Sequence, residues 1–221
     1  LGESLNKKKI GILSGMGAAA GARFYSVLVE ECQRLGAKCD SDFPEVVLYN
    51  VSSKGMDETG VCDESTLKVD LLAALKHLDA CGCELIIMAC NTIHIYLRLL
   101  QHHTKAEILN MVDLTQQSAM ANSVGVVCSR TSRDRGLYLG IQVTDEQQDE
   151  VDAMIGRVIA GYSGTAIHAR DKMTLMGIID SLFERGAQRV IIGCTELPLI
   201  TERRTGTIDP AEIVIRRALT L

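Results

Sequence analysis

Two kinds of hydrophobic pattern alternate along the chain. Short unbroken apolar runs of strand length are followed by stretches in which apolar residues recur every three or four positions, the period of a helix buried on one face. Residues 9–14 (KIGILS) form the first run and end in Gly15-Met16-Gly17, and an Ala-rich helix is predicted from there to about Leu35. Residues 45–50 (EVVLYN) are a second strand. In 65–81, Leu67, Leu71, Leu75 and Leu78 share one helical face. Residues 84–89 (ELIIMA) are a buried-type strand running into Cys90-Asn91-Thr92. A helix to about His103 and a short strand at 107–111 follow.

The pattern then restarts. A strand is predicted at 124–128 (VGVVC), a short helix at 131–138 and a short strand at 140–143. Helices are predicted at 146–160 and 169–185. Residues 189–193 (RVIIG) are a strand running into Cys194-Thr195-Glu196, and Asp209-Pro210 opens a last helix, with Asp as N-cap and Pro at the first position. Strands alternating with helices predict an α/β fold with parallel sheets. The chain also reads as a duplication. GIL-S at 11–14 is echoed by GVVCS at 125–129, and LIIMACNT at 85–92 by VIIGCTE at 190–196. The expectation is two pseudo-symmetric α/β halves, residues 1–113 carrying Cys90 and 114–221 carrying Cys194, with the last helix packed back on the first half. A cleft between them would lie at the carboxyl ends of the strands.

Composition narrows the function. The chain has 221 residues, 47% hydrophobic and 23% charged, with a net charge of −5, no Trp and 4% aromatics. A basic face with interleaved aromatics is missing, which argues against nucleic acid as a partner. No apolar run reaches the roughly 18 residues of a membrane span. The eight cysteines follow no secretory leader pattern, so a cytoplasmic protein with free thiols is expected, most of them small buried hydrophobes. Cys81-Gly82-Cys83 lacks partners at zinc spacing. A Cys-x-x-Cys redox pair is absent.

Cys90 and Cys194 stand apart from the other six. Each ends an apolar strand, is followed by polar residues, and sits where backbone N–H groups at a helix start favour a thiolate and bind carboxylates. One such turn is equally well structural. Two at matching places in two halves place two thiols on one ligand from opposite sides. That arrangement suits stereoinversion at a carbon acid, one thiolate removing the α-proton and the opposite thiol delivering another. Asn91, Thr92 and Thr195 are fitting donors for charge that builds on the substrate carboxylate.

IGILSGMG, DFPEVVLYN, MACNTIH, GCTELPL and DPAEI together resemble the aspartate/glutamate racemase family that works without pyridoxal phosphate. The resemblance spans nearly the whole chain. Glutamate racemases of cell-wall synthesis carry Asp in the first loop and His after the second Cys-Thr. Ser14 and Glu196 stand at those places here, as in the aspartate or broad aspartate/glutamate branch. The resemblance implies a racemase of aspartate and/or glutamate with Cys90 and Cys194 as catalytic thiols, Cys90 serving the D-enantiomer and Cys194 the L-enantiomer. Substrate contacts are expected from Met16, Asn50, Asn91, Thr92, Ser129, Ser132, Thr195 and Glu196, with no cofactor and no metal. A homodimer acting on a small, acidic amino acid is expected. His94 either orients the Cys90 thiol or is an ordinary core histidine, and Arg130 either pairs with a substrate carboxylate or is a surface residue. The alternative function is a non-catalytic amino-acid-binding or regulatory protein on the same fold, which would not need two thiols.

Overall fold

In the computed structural model, residues 5–57, 59–119, 123–161, 165–201 and 203–221 are described, with side chains except at 165–168. The chain runs β1 (Ile10–Ser14), α1 (Ala18–Arg34), β2 (Val46–Asn50), β3 (Met56–Asp57), β4 (Gly60–Val61), α2 (Glu64–Ala80), β5 (Leu85–Met88), α3 (Leu97–Gln101), β6 (Glu107–Ile108), α4 (Met111–Ser118), β7 (Val124–Cys128), α5 (Arg130–Asp134), β8 (Ile141–Gln142), α6 (Asp145–Ile159), α7 (Thr165–Glu184), β9 (Arg189–Gly193), β10 (Thr207–Ile208) and α8 (Pro210–Leu219).

Two four-stranded parallel sheets form, ordered β2-β1-β5-β6 and β8-β7-β9-β10. Position for position the two orders are the same. β1 corresponds to β7 and β5 to β9, the pairs of strands that echo one another in sequence. The expected division at 113/114 falls inside α4.

The central strands are apolar on both faces because helices cover both faces. Along β1 and β5 the side chains alternate between two cores. Ile10, Ile12, Leu85 and Ile87 pack with Phe24 and Leu28 of α1 and with Ala211, Val214 and Ile215 of α8. Leu13, Ile86 and Met88 pack instead with Leu67, Leu71, Leu75 and Leu78 of α2. In the second sheet, Val127, Val190 and Ile192 join Val151, Ile155, Leu175 and Leu182 of α6 and α7.

Several predicted elements take a different form. The helix expected directly after Cys90 is first a tight 3₁₀ turn, Thr92–Tyr96, and only then α3. Three β-branched residues in this stretch, Thr92, Ile93 and Ile95, are poor helix formers. After Cys194 only a three-residue 3₁₀ turn follows, Leu197–Leu199, and Pro198 supplies no N–H. The β3–β4 hairpin, α4 and β10 are too short or too polar to have shown in the pattern.

The last helix ties the C-terminus to the first sheet. Asp209 caps α8, its Oδ1 accepting from the Ala211 N–H at 2.9 Å. Its Oδ2 accepts from Arg23 on α1 at 2.5 Å, with both side chains largely buried. Asp209→Ala therefore loses a cap worth about 1 kcal/mol and strands a buried guanidinium. Urea unfolding is expected to register a loss of about 2–3 kcal/mol. Asp209→Asn, which keeps the cap, is expected to lose less.

Candidate active site

The carboxyl ends of β1, β5, β7 and β9 converge on one cavity of about 190 Å³. Cys90 and Cys194 both line it, one from each sheet. So do Met16, Thr92, Ser129 and Glu196 of the expected contact residues. Gly15, Gly17, Ser53, Met56, Asp57, Gly60, Ile155 and Ile159 complete the wall.

Of the remaining expected residues, Asn91, Ser132 and Thr195 are buried outside this lining and Asn50 is exposed. Ser132 is buried and bonds to Thr92 Oγ1 and Ser129 Oγ, each at 3.0 Å, while Thr92 and Ser129 meet at 2.9 Å. Three hydroxyls thus form a triangle across the two halves, and two of them face the cavity. Asn91 Oδ1 accepts from Tyr138 Oη at 2.5 Å, a second tie between the halves. Thr195 Oγ1 donates to Glu196 Oε2 at 3.1 Å. Asn50 ends β2, where its Oδ1 accepts from Ser14 Oγ at 3.3 Å, away from the cavity lining.

The thiols differ in their partners. Backbone N–H groups of Ile93 and Thr92 and the Thr92 hydroxyl favour a thiolate at Cys90, as the turn predicted. Burial outweighs them and, with the Glu196 charge, pushes the Cys90 thiol up to about 12. Cys194 is pushed well above its ordinary value, first by burial and then by Glu196. Its Sγ donates to Glu196 Oε2 at 3.0 Å. The resting thiols are therefore protonated, contrary to the expectation that helix-start N–H groups would hold thiolates. Both follow-on turns are too short to carry a full helix dipole.

Glu196 is the most constrained group of the site. Burial raises its carboxyl above the usual range, while the bonds from Cys194, its own backbone N–H and Thr195 hold it down. Oε2 carries both side-chain bonds. Oε1 is buried and has no hydrogen-bond partner among the described residues. It lies against Gly17 at the N-terminus of α1, where the helix dipole favours an anion. A Cβ on Gly17 would come within 1.7 Å of Oε1, and φ there is +98°. The Gly-rich turn thus makes room for the carboxylate.

Sequence reasoning missed the far wall. Met56, Asp57 and Gly60 come from the β3–β4 hairpin, which reaches the second half: the Thr131 N–H donates to Thr59 O at 3.0 Å, and the Val61 N–H donates to Thr131 Oγ1 at 3.1 Å. Ile155 and Ile159 come from the last turns of α6. The sequence predicted a helix over 146–160 without marking which of its residues face the site. Arg130 is spoken for by Asp149 at 2.6 Å and Asp152 at 2.8 Å, and it does not line the cavity.

The profile of the Asp/Glu/Hydantoin racemase family matches residues 13–218. The broad-specificity amino-acid racemase RacX of Bacillus subtilis (strain 168) is 29% identical over 200 residues, 87% of each chain. Among solved structures, the aspartate racemase of Picrophilus torridus has a TM-score of 0.76 at 24% identity, covering 92% of this chain and 89% of its own. An aspartate racemase homologue from Pyrococcus horikoshii has a TM-score of 0.72 at 22% identity, covering 96% and 97%. At such identities the structural likeness speaks for the fold alone.

His94 fixes the turn that carries Cys90. Its Nδ1–H donates to the Cys90 carbonyl at 2.9 Å, and its Nε2 accepts from the Met111 N–H at 3.3 Å. It thus holds the backbone of Cys90 and not its thiol. A proton on Nε2 would break the Met111 bond, and burial lowers the His94 pKa from 6.5 to about 4. The unfolded chain takes up this proton below pH 6.5 and the folded chain refuses it until about pH 4. Stability is therefore expected to fall between those values by about 1.4 kcal/mol per pH unit. Urea unfolding of the wild type and of His94→Asn at pH 7.5 and 5 checks this: the variant's pH dependence should be shallower by about one proton.

Proposed function

The chain belongs to the Asp/Glu/hydantoin racemase family, and from that premise we propose that it is an amino-acid racemase working by two-base proton transfer through Cys90 and Cys194, without pyridoxal phosphate or metal. The observation that carries this reading is that the two thiols, at equivalent strand ends of two sheets of the same order, line one cavity.

Proton transfer begins from two protonated thiols. Cys194 hands its proton to Glu196 Oε2, with which it is in contact, and the thiolate removes the α-hydrogen from one face of the substrate. Cys90 delivers its proton to the opposite face and is left as a thiolate, held by the Thr92 and Ile93 N–H groups. The reverse direction runs the same steps backwards. A raised thiol pKa costs something in forming the thiolate but makes it a stronger base toward a weakly acidic C–H, each unit being worth about 1.4 kcal/mol. Thr92 and Ser129 offer hydroxyls to the substrate α-carboxylate, where negative charge grows in the transition state. The unpartnered Glu196 Oε1 is an acceptor for the α-ammonium group.

The motif resemblance assigns Cys194 to the L-enantiomer and Cys90 to the D-enantiomer, and names aspartate and glutamate as substrates. It also supplies the homodimer, while the cytoplasmic location rests on the reading of the cysteines as free thiols. Among the described residues, no helix is long and apolar enough to cross a membrane.

Cys90→Ser and Cys194→Ser each remove the base from one face only. Net racemisation is expected to drop by about 100-fold or more. In deuterium oxide, Cys90→Ser should still exchange the α-hydrogen of the L-enantiomer and Cys194→Ser that of the D-enantiomer, with little inversion. Polarimetry and proton NMR read the two quantities. Near wild-type racemisation by either variant would rule out the two-base mechanism.

A further inference from the structure

The charge of the cavity bears on its substrate. Two carboxylates line it, Asp57 and Glu196, and among the described residues no Lys, Arg or His does. Cations placed nearby in the chain are engaged elsewhere: Arg130 with Asp149 and Asp152, and Arg133 with Asp134 and Asp145. Lys54 is exposed and outside the lining.

The two carboxylates occupy different levels. Glu196 is buried beside Cys194, with Oε1 unpartnered. Asp57 is exposed on the hairpin that crosses to the second half. Its Oδ1 accepts from the Thr59 N–H at 2.8 Å and from Thr59 Oγ1 at 2.7 Å, and Oδ2 accepts no hydrogen bond among the described residues. The lining also includes apolar Met56, Ile155 and Ile159. One buried anion next to the thiols, an apolar wall and a second anion toward solvent match the charge sequence of an amino acid with an α-ammonium group, a methylene stem and a terminal cation. Aspartate or glutamate would bring its side-chain carboxylate to a wall with, among the described residues, no cation to pair with it and two anions to repel it.

We propose that the site selects an α-amino acid with a long cationic side chain, such as lysine, ornithine or arginine, whose terminal group pairs with Asp57. This rests on the racemase reading above and departs from the acidic substrate that the motifs suggested.

The test compares L-lysine, L-glutamate and the neutral isostere L-norleucine on wild type and on Asp57→Asn. The wild type is expected to show a kcat/KM for lysine at least about tenfold above that for glutamate, with norleucine between them. Asp57→Asn is expected to lower the lysine-to-glutamate ratio by about tenfold, mostly through KM. Calorimetric binding of the same three amino acids should follow the same order. A preference of the wild type for glutamate, or a ratio that Asp57→Asn leaves unmoved, would overturn the proposal. If nothing is racemised and no α-hydrogen exchanges, the racemase reading fails, and the order of binding affinities still decides the charge preference.

Discussion

The carboxyl ends of β5 and β9 meet across one cavity, and the rest of the site depends on that meeting. Each strand is buried on both faces, so its chain can turn toward polar chemistry only at its end. The repeated strand order brings two such ends together from two sheets. Cys90 and Cys194 are the residues at those ends. The ties between the halves lie close around them: the Thr92–Ser129–Ser132 hydroxyls, the Asn91–Tyr138 bond and the hairpin contact with Thr131. The convergence of the two thiols on one cavity is thus a consequence of topology, held in place by a few hydrogen bonds.

Burial sets the chemistry of the pair. It raises both thiols and the Glu196 carboxyl together, so the resting site avoids stacking buried negative charges. Of the two carboxylates that line the cavity, only Glu196 is buried with the two neutral thiols. The cost is a buried oxygen without a partner among the described residues, and such a group is expensive unless a ligand satisfies it. The positively polarised start of α1 at Gly17 offsets part of this. An incoming ammonium group would offset the rest, which links substrate binding to the electrostatics of the thiols.

Much of this was legible in the sequence because parallel-sheet strands advertise themselves. KIGILS, ELIIMA, VGVVC and RVIIG are apolar on both faces and end in polar turns, which gave the fold, the duplication and the two cysteines. The local form of the turns was not legible. A helical start and a 3₁₀ turn share the same polar residues, and the difference lies in β-branched Thr92, Ile93 and Ile95 and in Pro198. The thiol ionisation was misjudged for a related reason: burial, which dominates it, is a tertiary property. The hairpin at 56–61 and the inward faces of Ile155 and Ile159 also escaped. Two-residue strands leave no periodicity, and a helix pattern marks an apolar face without saying whether it meets core or cavity.

Isotope incorporation by the unmodified enzyme addresses directly whether two thiols act from opposite faces. One enantiomer of the amino acid turned over fastest is incubated with wild-type protein in deuterium oxide, and both enantiomers are separated at low conversion. If Cys90 and Cys194 are opposed bases, the product enantiomer carries deuterium at its α-carbon from the first turnovers, while the recovered substrate retains its original hydrogen. Product that keeps the substrate's α-hydrogen in a substantial fraction of turnovers would mean one base serves both faces and would contradict the account.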